Sequence, residues 1–569
     1  MPSTIARVCR TGLRLAPLYL ACVSCAPRRS GLPRTDPTRP ARTSAVISAA
    51  DLRARLYAFA ADSMMGRATG EEGDYKAAQY VAGEFARLGL EPAGDGGSWF
   101  QTVPFLRRAV DRGAALRVNG YAAKLGVDYV PTPSNAAYRP IDNVQTVFAG
   151  LASDSTTWIS PAAADGKALV FSVTPPEQRT AATRRTNTAA LVNSPRFRGA
   201  AAILVAELDA AGTSTAAAMI SGNLVFDTTW RDVPPLTLVS NDFASRLLGV
   251  PAASARPGAT GLTLHGSTRV SIQPVAFAAR NVVAIWRGGD AALRGEFVSL
   301  TAHNDHVGFD HAPVDHDSLR AFNTVVRPMG ADSPNRDATP DEWRRIHAIL
   351  DSLRALRPGR LDSIRNGADD DGSGTVALLE IAEDFAHKAR PQRSILFVSH
   401  TAEEAGLLGS RWFTDHATVP LDSIVGEIDM DMIGRGRKTD LPEAGPAYLE
   451  VVGIRRLSTE FGDILDAVNK RQPLPFVFNL TFDQPGHPLQ YYCRADHYSY
   501  ARYGIPSVAI SRGEHMDYHQ VTDEPQYIDY DALARVAIFA RDAAAALATR
   551  PDRPKLDKPK GDPRAPCRQ

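Results

Sequence analysis

Five short stretches of this sequence set histidines and carboxylates at the ends of apolar runs, which is where an α/β sheet presents its reactive groups. The run from Phe297 to Ala302 passes straight into His303-Asn304-Asp305-His306. There His303 has the setting of a metal ligand, and Asp305 can accept its other ring proton and fix the tautomer. Gly367-Ala368-Asp369-Asp370-Asp371-Gly372-Ser373-Gly374 precedes a helical run, and three adjacent acids repel one another unless a cation or a helix N-terminus neutralises them. A calcium loop of the EF-hand type does not fit, because anchoring it on Gly372 puts Gly367 at the first ligand and Leu378 where the bidentate acid belongs. Ile395 to Ser399 leads into His400-Thr401-Ala402-Glu403-Glu404. Adjacent acids at a strand end point in different directions, so one can hold a metal while its neighbour takes a proton from the water that the metal activates.

In Glu427-Ile428-Asp429-Met430-Asp431-Met432 the acids sit among apolar neighbours, which is costly unless they are paired or coordinated. Strand alternation puts Asp429 and Asp431 on one face and does not choose between them. Asp517-Tyr518-His519 follows the run Ser507 to Ser511 and adds a second imidazole beside a phenol. Oxygen and imidazole donors without thiolates suit zinc, with manganese or cobalt as less favoured occupants. One carboxylate shared by two ions about 3.5 to 4 Å apart would give a two-metal hydrolytic centre.

The elements that must carry these loops are legible from periodicity. Beyond Asn281 strand and helix patterns alternate: Phe297 to Ala302, the helix Thr375 to His387, Ile395 to Ser399, Ile424 to Asp429, Tyr448 to Val452, Ser507 to Ser511 and a closing helix from Tyr530 to Leu547. That order predicts an α/β sheet with helices on both faces. Between Pro131 and Pro274 the texture shifts to short β-like runs such as Val144 to Phe148, Ala168 to Val173 and Leu236 to Val239, separated by small residues, which predicts an inserted module. No His-Glu-x-x-His occurs, since Met516 follows His515, and no Gly-x-Ser-x-Gly elbow occurs either.

With 64 Lys and Arg against 63 Asp and Glu, the chain carries no global field to attract nucleic acid or an anionic membrane. Arg7, Arg10 and Arg14 precede a short apolar run from Leu15 to Ser24, the pattern of an export signal and too short to span a bilayer. Ala21-Cys22 and Ser24-Cys25 set a small residue before a cysteine, as lipoprotein signals do, although neither has leucine three residues upstream. The expected location is therefore the periplasm or cell envelope, as a lipoprotein, or the exterior as a secreted protein. With three of the five cysteines in or beside the signal, Cys493 and Cys567 imply no disulfide framework.

Taken in order, His-x-Asp, Asp-Asp-x-Ser-Gly, Glu-Glu, Asp-Met and Tyr-His resemble the co-catalytic dizinc aminopeptidase and glutamate carboxypeptidase family, over roughly Asp51 to Leu547. The resemblance implies two zinc ions held by His303, Asp370, Glu404, Asp431 and His519, with Asp370 as the bridge and His519 on the ion opposite His303. It prefers Asp431 to Asp429, makes Glu403 the general base and gives Tyr518 the oxyanion. Asp496-His497 matches a support segment near the site. The implied fold is the three-layer mixed sheet of zinc exopeptidases, with an inserted mainly-β, protease-associated (PA) type domain. The implied substrate is the N-terminus of a peptide or protein; a carboxypeptidase, an inactive receptor-like module and a one-zinc cyclase are the competing readings. The expected layout is an export signal over 1–25, a tether over 26–49, catalytic parts over 50–130 and 275–548, the insert over 131–274 and a disordered tail over 549–569. A departure from the family lies between His303 and Asp370, where an insertion with Asp305, His306, His311, Asp315, His316 and the helical run Asp341 to Leu356 is expected to cover the cleft or to add a metal site.

Overall fold

Continuous apolar runs that end in ionisable residues form the centre of a mixed sheet. In the computed structural model, which describes residues 43–174, 188–226, 228–441 and 444–569, the strands Ser394–His400, Phe297–His303, Ile424–Met430 and Ser507–Ser511 lie side by side in parallel. Arg280–Trp286 and Tyr448–Val452 flank them antiparallel, and three shorter strands complete the sheet. The expected export signal, and with it Cys9, Cys22 and Cys25, lies outside the described residues.

Strand alternation feeds two cores. Val282, Ala284, Ile395 and Phe397 pack with the helices Ala49–Phe59, Glu72–Arg87, Gly374–Ala386 and Tyr530–Thr549 on one face. Val283, Ile285, Leu396 and Val398 face the opposite way, toward Phe413 of the helix Leu408–Asp415 and Tyr500 of His497–Ala501. Sheet residues buried on both faces explain the near-unbroken apolar sequence of these strands. The result is a mixed α/β architecture with helices on both faces. Among the described residues no helix is long and apolar enough to cross a membrane.

A second module occupies Leu106 to Pro274 and has its own apolar cores. Its eight-stranded sheet joins Val144–Leu151, Ala168–Ser172, Ala202–Val205 and Leu236–Val239 in the middle, and a three-stranded sheet pairs Leu106–Val110 with Val270–Pro274. The module thus starts well before residue 131, the boundary read from composition. Leu106–Val110 carries Arg107 and Arg108 and lacks an apolar alternation, which hides it from a periodicity search.

The expectation of a disordered tail also needs correction. Residues 550–569 run as coil over the catalytic unit, held by Ser458 Oγ donating to the Lys555 carbonyl at 2.7 Å, Arg502 donating to the Pro563 carbonyl at 3.1 Å and a disulfide between Cys493 and Cys567. Lys- and Pro-rich composition removes secondary structure but not specific backbone anchors, and two cysteines 74 residues apart carry no pairing signal of their own.

One buried guanidinium clamps three helices. Arg55 of Ala49–Phe59 meets Glu84 of Glu72–Arg87 and Glu380 and Glu383 of Gly374–Ala386, with no exposed surface on its own side chain. Removing it leaves the buried Glu380 without a cation and Glu84 and Glu383 with Arg87 alone. Arg55→Ala is expected to lose about 3–5 kcal/mol in denaturant unfolding; a loss under about 1 kcal/mol, the range of an exposed pair, would contradict this role.

Candidate metal centre

The carboxyl ends of the four parallel strands share one edge, and the loops that leave them converge there. Register pairs His303 with His400 and Thr301 with Asp429, so the residues that follow emerge side by side. His303 Nε2 lies 3.2 Å from Asp370 Oδ1 and 3.7 Å from Asp431 Oδ1. On the other side of the same aspartate, His519 Nε2 is 2.9 Å from Asp370 Oδ2 and 2.9 Å from Glu404 Oε2. Asp370 therefore turns one oxygen to each group.

Two donor sets result: His303, Asp370 and Asp431, and His306, Asp370, Glu404 and His519, the donor atoms of each set lying within 4.8 Å of one another. His306 was singled out in sequence only as part of the insertion, yet its Nδ1 stands 2.8 Å from Glu404 Oε1. The signal that could have placed it is its position three residues after His303 in a loop that turns back over the strand end. Asp429 instead turns inward, accepting from Thr301 Oγ at 2.9 Å and from the His497 amide at 3.2 Å, which leaves Asp431 as the aspartate that faces the donors.

His303 Nε2, Asp370 Oδ2, Glu404 Oε1, Asp431 Oδ1, His519 Nε2 and both ring nitrogens of His306 are buried and make no hydrogen bond among the described residues. Buried polar atoms rarely stay unsatisfied. Lone pairs aimed at a common point without donors between them suit a cation, and carboxylate with imidazole suits a divalent metal of the zinc type.

Backbone and buried charges hold the donors in place. Asp371 accepts from the His303 amide at 3.0 Å, the Gly374 amide at 2.9 Å and the Met432 amide at 3.3 Å, tying three of the loops together. A Cβ at Gly374 would stand 1.9 Å from the Met430 carbonyl oxygen, so only glycine fits there. Asp369 accepts from the Gly434 amide at 2.6 Å, and the Asp523 carboxylate receives the amides of Asp369 and Asp370 at 3.0 and 3.2 Å. Arg67, fully buried, donates to the carbonyls of Asn304 and Gly367 at 2.9 and 2.8 Å; nothing in its sequence context marks it for this role. Ala402, Leu407, Met432 and His519 all have positive φ, a conformation that costs non-glycine residues of order 1–3 kcal/mol and collects at functional sites.

Asp305 sits behind His303. Its carbonyl is 3.2 Å and its Oδ1 3.5 Å from His303 Nδ1, while its carboxylate also receives the Glu403 amide at 3.1 Å and the Thr69 hydroxyl at 2.8 Å. Glu403 Oε2 stands 3.9 Å from His303 Nε2, beside the donors and not between them. Burial, with Glu404, Asp431 and Asp496 nearby, outweighs His303 and pushes the Glu403 carboxyl well above the usual range. Burial, with Asp370 and Glu404 close by, likewise keeps the Tyr518 phenol protonated, and Arg494 donates to its oxygen at 3.3 Å. Asp496 is buried with neither oxygen bonded, and His497 is held neutral by burial, with a pKa of about 3.

Of the acids and histidines of the insertion, His316 pairs with Glu524 at 3.0 Å and Asp315 caps the helix His316–Val326. That helix, against which Pro340–Leu356 packs, and the turn after it buttress the loop of Tyr518 and His519: Asn323 donates to the Met516 carbonyl at 3.1 Å and Ala331 to the Tyr518 carbonyl at 3.1 Å. The donors open on a cavity of about 570 Å³ lined by Asp370, Glu403, Glu404, Asp431, Tyr518 and His519, and farther out by Met432, Val452, Tyr491, Arg494 and Glu514.

Residues 281–544, which hold every donor described, match peptidase family M28. Leucine aminopeptidase 1 of Paracoccidioides brasiliensis (strain Pb18) is 32% identical to this chain over 181 residues, 30% of this chain and 44% of that protein. Leucine aminopeptidase 1 of Coccidioides posadasii (strain C735) is 31% identical over 208 residues, 34% and 49% respectively. The chain spans about half the length of these curated relatives. Among solved structures, the aminopeptidase from Aneurinibacillus sp. strain AM-1 aligns at a TM-score of 0.49 with 16% identity, over 90% of this chain and 98% of that one. The zinc aminopeptidase from Bacillus subtilis aligns at 0.49 with 16% identity, over 88% and 95%.

The centre is a proton trap when no cation fills it. Burial opposes the charged form of His303, yet the carboxylates of Asp305, Asp370 and Asp431 outweigh it and raise its pKa well above the imidazole range; Glu404 and Asp370 do the same for His519. Groups that hold protons more tightly folded than unfolded add stability that is full below the unfolded value and lost as pH climbs through the folded one. Glu403 and Asp371, also raised, act in the same sense, whereas Asp370 and Glu404, held low, act only at acid pH. The metal-free protein should therefore lose thermal stability as pH rises from about 6 to 9, while a cation-loaded sample stays flatter. Parallel melting curves for chelated and loaded samples would contradict this.

Proposed function

We propose that this chain is a metal-dependent aminopeptidase that hydrolyses the first peptide bond of peptides through a centre of two zinc ions. The observation that carries the reading is the convergence of unpartnered imidazole and carboxylate atoms on Asp370, with Glu403 beside them at the floor of a cavity. The match of residues 281–544 to peptidase family M28 and the names of the fungal relatives support it. His303 and Asp431 would hold one ion, His306, Glu404 and His519 the other, and Asp370 would bridge them. Zinc best suits the donors, with manganese or cobalt as substitutes. When bound, such ions supply Lewis acidity that makes water nucleophilic near neutral pH.

The remaining work falls to side chains. Glu403, held beside the site through its amide bond to Asp305, takes the proton of the attacking water on its carboxylate and returns it to the leaving amine. Tyr518 keeps its phenolic proton and faces the cavity, where it donates to the oxyanion of the tetrahedral state. Asp305 fixes the His303 ring from behind. The disulfide Cys493–Cys567 supports an oxidising location and so an exported protein, by secretion or through a lipid anchor. The module Leu106 to Pro274 would act as the PA-type access element: its Phe226 stacks on Trp412, in the helix that follows Glu403 and Glu404, with centroids 5.3 Å apart.

A carboxypeptidase is the second reading, favoured by arginines that sequence could not place. Arg411, Arg494, Arg502 and Arg564 all line the cavity, and of these Arg411 and Arg564, which form no ion pair among the described residues, could meet a substrate carboxylate. A fluorogenic panel of aminoacyl substrates and N-blocked controls, with and without chelator, separates the two. Chelator-sensitive cleavage of free-amine substrates alone is expected, and turnover of blocked substrates alone would overturn the aminopeptidase reading.

Two variants test the centre itself. Glu403→Ala should retain its metal while turnover falls by about 10²–10⁴ or more; full activity in that variant would remove the proposed base. In metal analysis after dialysis, Asp431→Ala should lose one equivalent and Asp370→Ala both. Equal metal content in the two variants would contradict the bridging role.

A further inference from the structure

The segment that crosses the cavity is not a spectator. Pro563, Arg564, Ala565, Pro566 and Cys567 line the same cavity as Glu403, Glu404, Asp431 and His519. At one end Arg502 donates both to the Pro563 carbonyl at 3.1 Å and to the Arg411 carbonyl at 3.2 Å, fixing the strap beside the helix that follows Glu403 and Glu404. At the other end Cys567 is bonded to Cys493, next to Tyr491 and Arg494 on the opposite wall. Beyond it Gln569 donates to the Phe482 carbonyl at 2.9 Å and accepts from the Tyr492 amide at 2.9 Å. Five residues pinned at both ends thus form part of the wall of the cavity that the metal donors also line. Its volume of about 570 Å³ is in the range of a small-molecule site.

Charge narrows the occupant further. Arg564 on the strap and Arg411 on the rim form no ion pair among the described residues, whereas Arg494 already faces Asp332 and Arg502 already faces Asp415. Two guanidiniums without an acidic partner among the described residues, both on the cavity wall, match the free carboxylate of a short peptide, to which arginine binds through paired N–H groups.

We propose that residues 563–567, held by Cys493–Cys567, roof the substrate cavity and restrict the enzyme to short peptides with a free terminal carboxylate. This rests on the aminopeptidase reading above and adds the substrate class. The strap closes the exit that the remainder of a long chain would need, and its arginine contributes to the end of the cavity where a short substrate terminates.

The test compares kcat/KM for Leu-Gly-Gly, its C-terminal amide and a leucine-initiated octapeptide. Wild-type enzyme should favour the tripeptide acid over the octapeptide by at least tenfold and over the amide by several-fold. Cys567→Ser, with strap release followed by limited proteolysis, should shift the octapeptide-to-tripeptide ratio at least tenfold toward the octapeptide. Arg564→Ala should erase much of the acid-over-amide preference. Wild-type protein reduced with a phosphine, its thiols counted, gives the same comparison without a substitution, should the variant fold poorly. Equal rates on tripeptide and octapeptide in the oxidised wild type, or an unchanged ratio after release, would overturn the strap proposal and leave the aminopeptidase reading intact. Cleavage of none of the free-amine substrates by the wild type would overturn both.

Discussion

Like charges and lone pairs brought together in a desolvated place are the dominant constraint on this molecule. His306, Glu404 and His519 on one side and His303 and Asp431 on the other are drawn to within 4.8 Å of the shared Asp370 and of one another within each set, and their facing atoms have no hydrogen-bond partner among the described residues. Such an arrangement is unfavourable for a bare chain, and protons or a cation must compensate it. Everything that surrounds the site supplies the rigidity that this requires. Asp371 gathers three amides from three loops, Asp523 gathers two more, and Arg67 ties the loop after His303 to the loop before Asp370 through their carbonyls. These bonds use backbone groups, so the donors are positioned by chain geometry and the donor side chains are left free to coordinate.

That division of labour also explains what was legible in the sequence. Strand-end histidines and acids stand out because their types are chemical and their neighbours are apolar, and His303, Asp370, Glu404, Asp431 and His519 do meet at one sheet edge. The choice between Asp429 and Asp431 was closed to periodicity, since both share a face; it is decided by the end of the strand at Met430, past which the chain turns Asp431 outward while Asp429 stays bonded to Thr301 and His497. His306 was hidden by its place in an insertion, and Arg67 by lying more than two hundred residues from the loop it supports. The layered α/β sheet was readable because strands buried on both faces leave long apolar runs. The early strands of the second module, short and arginine-bearing, leave no such trace.

The tail shows the limit of composition most clearly. A segment rich in lysine and proline has no amphipathic face to bury, and from its sequence it would be unstructured. Its order comes from outside: carbonyls accept from Ser458 and Arg502, Asp557 accepts from the Thr459 amide at 2.9 Å, and one covalent bond closes the loop. Anchors of this kind belong to the receiving surface and cannot be read from the segment that is received.

The loop from Glu514 to Tyr527 is where these separate constraints meet. It carries Tyr518 and His519, receives Arg435 at Asp517 at 2.9 Å, binds the Asp369–Asp370 backbone through Asp523 and holds the insertion through Glu524 and His316. His519 sits in a left-handed conformation that this loop must impose. Because the insertion grips the outside of the loop while Asp523 grips its inside, additions between His303 and Asp370 can reshape the approach to the centre without moving its donors. The strap from Pro563 to Cys567 lines the same cavity, and its anchors at Arg502 and Cys493 involve none of those donors. Access and coordination are therefore built from different parts of the chain, which lets the selectivity of the cavity change while the geometry around Asp370 is kept.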